Sequence, residues 1–182
     1  MPEGFVYMED IVSADEESRL IENVRRLPFR EFEFQNYRGK RRVVSFGLHY
    51  DFAQSKLQPA EEIPAFLLPL RQSAARFAGL TPDELPHILV TEYSIGAPIG
   101  WHKDRAVFGE VIGVSLLSPC RFRFRRKAGA KWQRAAIMLA PRSVYLLRGP
   151  ARTEWEHSIP DAESLRYSIT FRTVKQKGLG GA

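Results

Sequence analysis

The sequence lacks the features that mark secreted and membrane proteins. Its 182 residues include one cysteine, Cys120, so an internal disulfide is excluded and a reducing compartment is favoured. No apolar run reaches the roughly 18 residues that a membrane-spanning helix needs. The first residues also lack the basic-then-apolar order of a signal peptide. These absences predict an intracellular, cytoplasmic protein (nuclear localisation is open for a eukaryotic source) that has no membrane segment.

The overall composition is that of an ordinary globular domain. Hydrophobic residues make up 44% of the chain and charged residues 26%. A chain of this length can bury a sizeable core and has the size of one domain. We therefore expect a single domain over residues 1–182.

Positive charge is concentrated in two segments. The formal net charge is +6, and eleven of the 27 basic residues lie in 38–42 ("RGKRR") and 121–134 ("RFRFRRKAGAKWQR"), neither of which contains an acid. Without these segments, the remaining 16 basic residues stand against 21 acidic ones, a net charge of −5. Such clustering favours a polyanionic partner such as nucleic acid. The alternative is that both segments are solvated, arginine-rich strands or loops.

The apolar periodicity changes from helical to strand-like along the chain. Helices are predicted over 13–27, where Ser13 and Glu16 can form a capping box, and over 63–80, where Gly79 would end the helix. From about residue 86 onwards, seven short strand-like runs follow one another, most of them separated by Gly, Pro or Ser. This order predicts a mainly β fold with flanking helices (α+β), in the form of a sandwich, jelly roll or barrel.

A histidine and an aspartate stand two positions apart after a turn-rich stretch. In a strand, His102 and Asp104 of "GWHKD" would point to one face, and His157 of "EWEHSI" could supply a third ligand. Two histidines and a carboxylate leave positions open on a metal, as in non-haem Fe(II) oxygenases. The same set can hold zinc in a hydrolase. A surface pair without a metal is the third alternative.

The last strand-like run places two arginines on one face. In "RYSITFR", Arg166, Ser168, Thr170 and Arg172 alternate with three apolar residues. The two arginine Cα atoms would lie about 13 Å apart, and guanidinium groups bind carboxylates as forks. An edge strand with solvated arginines is the simpler alternative. An iron site combined with a dicarboxylate site, however, specifies 2-oxoglutarate as cosubstrate.

These stretches together resemble the AlkB family of Fe(II)/2-oxoglutarate dioxygenases. The similarity extends over most of the chain, in family order: "FVYMEDIVSADEESRLI", "RRVVSFGLHYDF", "EYSIGAPIGWHKD", "SVYLLRGPARTEWEHSI" and "RYSITFR". The resemblance implies a double-stranded β-helix (jelly-roll) core over about 86–175 and a nucleotide-recognition lid over about 30–55. It also implies oxidative dealkylation of nucleic-acid bases with Fe(II), 2-oxoglutarate and O2, releasing an aldehyde, succinate and CO2.

The resemblance assigns residues to the iron and cosubstrate sites. It makes His102, Asp104 and His157 the iron ligands. It places Arg166 at the distal carboxylate of 2-oxoglutarate and Arg172 near the end that chelates iron. Further cosubstrate contacts would come from Tyr93, and from Thr91 and Ser168, which stand where the family commonly has asparagine. Ala106 replaces an acid that faces the base in the bacterial type member, which leaves base preference open.

The substrate contacts follow from the chemistry of a base that must be flipped out or single-stranded to be reached. Phe46 and Tyr50 are candidates for stacking on the base, and packing within the lid is the alternative. Phosphate contacts are expected from five arginines: Arg41, Arg42, Arg121, Arg123 and Arg125. The last three would share one strand face, opposite Phe122 and Phe124.

Three other functions compete with base dealkylation. The same chemistry could act on a modified RNA base of regulatory or tRNA type, or on a protein side chain. A nucleic-acid-binding module with a degenerate site is disfavoured by the complete set of ligands and arginines. A zinc hydrolase would have no use for the arginine pair. The basic charge favours a monomer.

Overall fold

The structure is a computed structural model that describes residues 1–34 and 37–175, with the backbone alone for 32–34 and 37–39. Residues 35 and 36, inside the predicted lid, and residues 176–182, at the end of the predicted domain, lie outside the described residues. Within the described residues, no helix is both long and apolar enough to cross a membrane.

Strands dominate the described part of the chain. In chain order they are β1 (Phe5–Met8), β2 (Arg30–Phe34), β3 (Tyr37–Phe46), β4 (Leu48–Asp51), β5 (Lys56–Pro59), β6 (His87–Tyr93), β7 (Ile99–His102), β8 (Phe108–Leu116), β9 (Cys120–Ala128), β10 (Lys131–Leu139), β11 (Ser143–Leu147), β12 (Glu156–Ile159) and β13 (Arg166–Val174). The helices are α1 (Ala14–Val24), α2 (Leu68–Ala78) and the short α3 (Gly149–Thr153).

The strands form two sheets and a separate hairpin. A seven-stranded sheet has the order β1-β11-β8-β13-β6-β3-β2, and a four-stranded sheet has the order β10-β9-β12-β7. All strand pairs in both sheets are antiparallel, and β4 and β5 form the hairpin. The sheets face each other across a cavity lined by residues of both. The predicted mainly β fold with flanking helices is confirmed.

Helices α1 and α2 cover the outer face of the seven-stranded sheet. Leu20 and Val24 of α1 and Ala74 of α2 pack in one core cluster with apolar residues of the sheet, such as Ile169 in β13. On β13, therefore, the apolar residues face the helices. Its polar residues Arg166, Ser168, Thr170 and Arg172 face the cavity, as the alternation predicts.

Local signals set the helix ends. The Ser13 hydroxyl accepts a hydrogen bond from the Glu16 N–H at 3.2 Å, and the Glu16 carboxylate accepts one from the Ser13 N–H at 2.7 Å. This capping box starts α1 as predicted. Gly79 ends α2 with φ at 71°, a left-handed conformation that suits glycine. Pro69 lies in the first turn of α2, where it needs no hydrogen-bond partner and causes no bend.

Strands β1 and β12 are short, and the predicted lid has strand structure of its own. Strand β1 stops at Met8 because Asp10 takes a left-handed φ of 54°. The segment before His157 begins with α3, so β12 starts only at Glu156. The region 30–55 contributes β2 and β3 to one end of the seven-stranded sheet and β4 to the separate hairpin. That this region recognises nucleotides stays a prediction.

Candidate active site

The cavity between the sheets has a volume of about 780 Å³. This is within the usual range of about 300–1,000 Å³ for small-molecule sites. It is lined by the buried polar side chains of β13 and, close to the β4–β5 hairpin, by Tyr50 and the exposed Phe52. The candidate metal ligands also line it.

Two histidines meet through the pairing of β7 with β12. In that antiparallel register His102 and His157 are direct partners, and their ring centroids lie 4.3 Å apart. Asp104 completes the group, with its Oδ1 4.0 Å from His102 Nε2. The potential ligand atoms of the three residues all lie within 4.8 Å of one another. Among the described residues this is the one such group of three histidine, cysteine or acidic side chains.

Asp104 reaches this point for a different reason than strand alternation. Strand β7 ends at His102, and Asp104 lies in the irregular segment that follows. His102 and Asp104 do converge as predicted, but the path of the irregular segment after β7 brings them together.

A buried arginine on α3 holds that segment in place. Arg152 is 7% exposed and donates hydrogen bonds to the carbonyl groups of Arg105 (2.7 Å), Phe108 (2.8 Å) and Gly109 (2.7 Å). Because these carbonyls directly follow Asp104 in the chain, Arg152 fixes the backbone that positions the carboxylate. The sequence offered no signal for this role, since the contacts are about 45 residues apart.

The protonation states of the three side chains suit a metal. Burial lowers the pKa of His157 to about 3, and burial also lowers the pKa of His102. Burial alone would raise the pKa of Asp104, but the cation of the neighbouring Arg172 holds it well below its usual value. Neutral imidazoles and an ionised carboxylate are the forms that bind a divalent cation.

The orientation of His102 also fits a metal ligand. Its Nδ1 lies 2.9 Å from the carbonyl oxygen of Gly100. A proton on Nδ1 would be donated to that carbonyl, which leaves Nε2 as the lone-pair atom facing Asp104. Two imidazole nitrogens and one carboxylate match the donor set of non-haem Fe(II) sites with open coordination positions.

The innermost end of the cavity contains an unsatisfied guanidinium group. Arg166 is 2% exposed, its Nη2 donates to the Ser115 hydroxyl at 3.1 Å, and its guanidinium lies 4.6 Å from the ring centroid of Tyr93. Its Nε and Nη1 are buried and find no hydrogen-bond partner among the described residues. A buried cation with two unused donors fits a carboxylate ligand.

The second arginine lies beside the candidate metal ligands. Arg172 Nη2 lies 3.3 Å from Asp104 Oδ1, and its Nη1 lies 3.4 Å from His87 Nδ1. Its guanidinium also lies 5.2 Å from the ring centroid of Phe108. The two arginines therefore occupy different depths of one cavity, with Arg172 at the metal side.

The other predicted cosubstrate residues line the same cavity. Tyr93 and Thr91 lie on β6, directly opposite Arg166 and Ser168 of β13 in the strand register. All four are at most 9% exposed. The structure therefore brings together every residue predicted to touch 2-oxoglutarate.

We call the exposed end of the cavity the outer pocket; it is lined by Glu31, Arg41, Tyr50, Phe52, Arg105 and Ala106. It contains two of the predicted substrate residues, Arg41 and Tyr50. Arg105 was not anticipated: its guanidinium lies 5.4 Å from the Tyr50 ring centroid and 4.9 Å from that of Phe52. Burial is the main reason why the pKa of His102 is lowered, and Asp104 opposes this effect. Arg41 is near enough to His102 to lower the pKa of that histidine further.

The structure corrects two substrate residues. Phe46 is 2% exposed within the main core cluster and does not line the cavity, so it cannot stack on a base there. Arg42 points to the sheet face opposite Arg41 and pairs with Glu92 at 2.7 Å. Alternation along β3 explains both positions, since 41, 43 and 45 line the cavity while 42, 44 and 46 do not.

The three arginines of β9 lie outside the cavity. As predicted, they alternate with the buried Phe122 and Phe124. Arg121 is exposed, whereas Arg123 donates to the Ser158 hydroxyl at 3.0 Å.

Arg125 is the most constrained of these arginines. It is ion-paired with Glu156 at 2.5 Å and lies between the rings of Trp101 (4.6 Å) and Trp132 (4.5 Å). Because Trp101 also lines the cavity, this Arg–Trp face (Arg121, Arg123, Arg125, Trp101 and Trp132) continues from the cavity mouth across the four-stranded sheet.

Two further residues line the cavity that no local sequence pattern predicts, His87 and Tyr145. His87 contacts Arg172 and packs against Phe108 with ring centroids 4.6 Å apart. Tyr145 stacks on Phe122 at 4.8 Å and fills the space above Gly113, where any Cβ would collide with its ring. Each depends on contacts between distant strands.

Comparisons with known proteins agree with this geometry. The model of the 2OG-Fe(II) oxygenase superfamily matches residues 4–172. The Arabidopsis thaliana "Alkylated DNA repair protein ALKBH8 homolog" is 27% identical over 210 residues, which cover 94% of this chain and 58% of that protein. The human "DNA oxidative demethylase ALKBH2" is 29% identical over 142 residues, which cover 70% of this chain and 53% of that protein. The solved structure of OsALKBH1 superimposes with a TM-score of 0.75 at 16% identity, covering 95% of this chain and 97% of that one.

The chain belongs to the 2OG-Fe(II) oxygenase superfamily, and it is a 2-oxoglutarate-dependent dioxygenase. Its similarity to ALKBH-named proteins confirms the AlkB-family resemblance, and its structural neighbours confirm the jelly-roll core. The family implies Fe(II), 2-oxoglutarate and O2 as cofactor and cosubstrates. The chain spans only 58% of the length of the Arabidopsis relative and 53% of the length of the human one.

Proposed function

We propose that the chain oxidatively dealkylates N-alkylated nucleic-acid bases in DNA or RNA, releasing an aldehyde, succinate and CO2. One observation carries the proposal: the group His102, Asp104 and His157 shares a single cavity with the unsatisfied guanidinium of Arg166. The relatives' names, which speak of alkylated-DNA repair and oxidative demethylation, support this substrate class.

In this proposal the chain holds the metal and the cosubstrate at fixed positions. His102, Asp104 and His157 hold Fe(II), and together with 2-oxoglutarate and O2 the metal supplies the oxidising chemistry. Arg166 binds the distal carboxylate of 2-oxoglutarate with its two unused donors. Arg172, which contacts Asp104 at 3.3 Å, would bind the carboxylate end of the cosubstrate on the side of the metal ligands. Thr91 and Ser168 offer small polar groups between the two arginines.

The base enters through the outer pocket. The Tyr50 ring lies there beneath the Arg105 guanidinium, and Arg41 is a cation close to His102. Because the site lies within a cavity, the nucleotide must be flipped out of a duplex or be single-stranded. The Arg–Trp face adjoins the cavity mouth, and surfaces that combine arginine with indole rings suit single-stranded nucleic acid.

The test is a mass-spectrometric turnover assay. The protein is supplied with Fe(II), ascorbate, 2-oxoglutarate and air, and with oligonucleotides that carry 1-methyladenine, 3-methylcytosine, 3-methylthymine or an etheno adduct. Single-stranded DNA, duplex DNA and RNA are compared, and a sample without 2-oxoglutarate is the control. We expect adduct loss that requires 2-oxoglutarate. Succinate formation without loss of any adduct would contradict the nucleic-acid substrate.

A matched variant separates catalysis from binding. Asp104→Ala removes one ligand, so turnover should disappear while nucleic-acid binding persists. Unchanged turnover in this variant would contradict the assignment of the metal ligands. Binding without turnover by the wild-type protein would favour a nucleic-acid-binding module.

A further inference from the structure

Among the side chains that the structure describes, the outer pocket has two arginines and one acid. Arg41 and Arg105 line it together with Glu31. Two further charged side chains line the cavity beside it: the Lys103 ammonium donates to the Thr153 carbonyl at 2.9 Å, and the Asp104 carboxylate contacts Arg172. The described side chains of the outer pocket therefore carry a net positive charge.

The aromatic surface of the outer pocket is also covered by a cation. The guanidinium of Arg105 lies over the rings of both Tyr50 and Phe52. Its backbone is held by the hydrogen bond from Arg152 to the Arg105 carbonyl at 2.7 Å. A positively charged base would normally gain energy on an aromatic face, but here Arg105 already occupies that position.

The hydrogen-bond donors of Arg105 also favour keto-bearing bases over amino-bearing ones. A guanidinium group has five N–H donors and no acceptor. It can therefore bind the keto oxygens of uracil, thymine or guanine, whereas an amino group would face it donor to donor. Bases such as 1-methyladenine and 3-methylcytosine present an amino edge and carry a positive charge. Methylation at N3 of thymine or uracil leaves the base neutral, with keto groups on both sides of the methylated nitrogen.

We propose that the preferred substrates of this site are neutral, keto-bearing alkylated bases rather than cationic, amino-bearing ones. This inference rests on the proposed function, because it concerns the same cavity. Arg105 is the specificity-determining residue in it, supported by Arg41. A well-formed arginine–base contact discriminates by about 10- to 100-fold, which sets the expected preference.

The experiment compares two oligonucleotides that differ at one base. One carries 3-methylthymine and the other 3-methylcytosine in the same single-stranded sequence, so that the position of the methyl group is the same. With the Fe(II)- and 2-oxoglutarate-loaded protein, we expect kcat/KM to be about 10- to 100-fold higher for 3-methylthymine. Arg105→Gln should reduce this ratio at least severalfold. The control Arg142→Gln alters a surface ion pair with Asp10 and should leave the ratio unchanged.

The outcomes separate this inference from the proposed function. Dealkylation of 3-methylcytosine at an equal or higher rate overturns the inference and leaves the proposed function in place. Failure to dealkylate any alkylated base overturns the proposed function. Equilibrium binding of the same two oligonucleotides to the loaded protein without O2 then decides the inference. Tighter binding of 3-methylthymine supports it, and equal or weaker binding overturns it.

Discussion

Replacing Arg166 by methionine should separate cosubstrate binding from folding. Within the described part of the chain, the buried Arg166 guanidinium has one hydrogen bond, to Ser115, and a contact with the Tyr93 ring. Its Nε and Nη1 are left without a partner among the described residues, and buried unpaired donors cost about 1–3 kcal/mol each. Arg166→Met should therefore leave the free energy of unfolding of the ligand-free protein unchanged, or raise it by about 1–2 kcal/mol.

The same substitution should greatly weaken 2-oxoglutarate binding. Two hydrogen bonds from a guanidinium to a carboxylate contribute about 3–5 kcal/mol together. The KM for 2-oxoglutarate should then rise about 100- to 4,000-fold. Urea denaturation and succinate formation at varied 2-oxoglutarate measure the two effects, and Arg142→Met serves as a surface control. A variant that loses several kcal/mol of stability but keeps its KM for 2-oxoglutarate would refute this reasoning.

Three other predictions concern pH, the segment after Asp104 and the Arg–Trp face. Burial lowers the pKa of His87, His102 and His157 below that of the unfolded chain, so the unfolded state takes up protons first as the pH falls. The metal-free protein should be most stable above about pH 6.5 and lose up to about 1.4 kcal/mol per pH unit for each histidine below it; equal urea midpoints at pH 5 and pH 7 would contradict this. Arg152→Met leaves three carbonyl groups without their donor, so it should destabilise the protein by about 2–4 kcal/mol and raise the Kd for Fe(II) about 10- to 100-fold. Calorimetric titration with Fe(II) under argon measures that Kd. A value equal to that of the wild type would show that Arg152 does not position the metal ligands. Changing Arg121, Arg123 and Arg125 together to Ala should weaken oligonucleotide binding and flatten its salt dependence; an unchanged salt slope in fluorescence anisotropy would exclude this face from the interface.

Local patterns predicted much of the fold because they act over a few residues. The capping box of Ser13 and Glu16 and the glycine that ends α2 are local, and the structure has both. The alternation in β13 assigned each side chain to the cavity or the core. Capping residues thus mark where helices begin and end, and the apolar periodicity shows which face of an element is buried.

The candidate site could be predicted in kind but not in its arrangement. The residue types of the metal group were readable from the sequence, whereas the direct pairing of His102 with His157 depends on the register of β7 against β12. Asp104 converges through a turn that alternation does not describe. The supporting roles of Arg152 and Arg105 require contacts between distant segments, which no local pattern encodes.

One correction was accessible from the sequence. Arg41 and Arg42 are neighbours on one strand, so they cannot both face the same cavity, and Phe46 shares the face of Arg42. Applying the period of two to β3 would have retained Arg41 and excluded the other two. Charge clustering alone does not show which of two neighbouring residues on a strand faces the cavity and which faces the opposite side of the sheet.

The most direct test of the central claim is turnover under ¹⁸O-labelled O2 with a methylated oligonucleotide. Our account predicts one labelled oxygen atom in each succinate, one succinate for each methyl group removed, and neither product from Asp104→Ala. Methyl groups lost without labelled succinate, or labelled succinate formed undiminished by Asp104→Ala, would contradict the assignment of His102, Asp104 and His157 as the centre of a 2-oxoglutarate-dependent dealkylation.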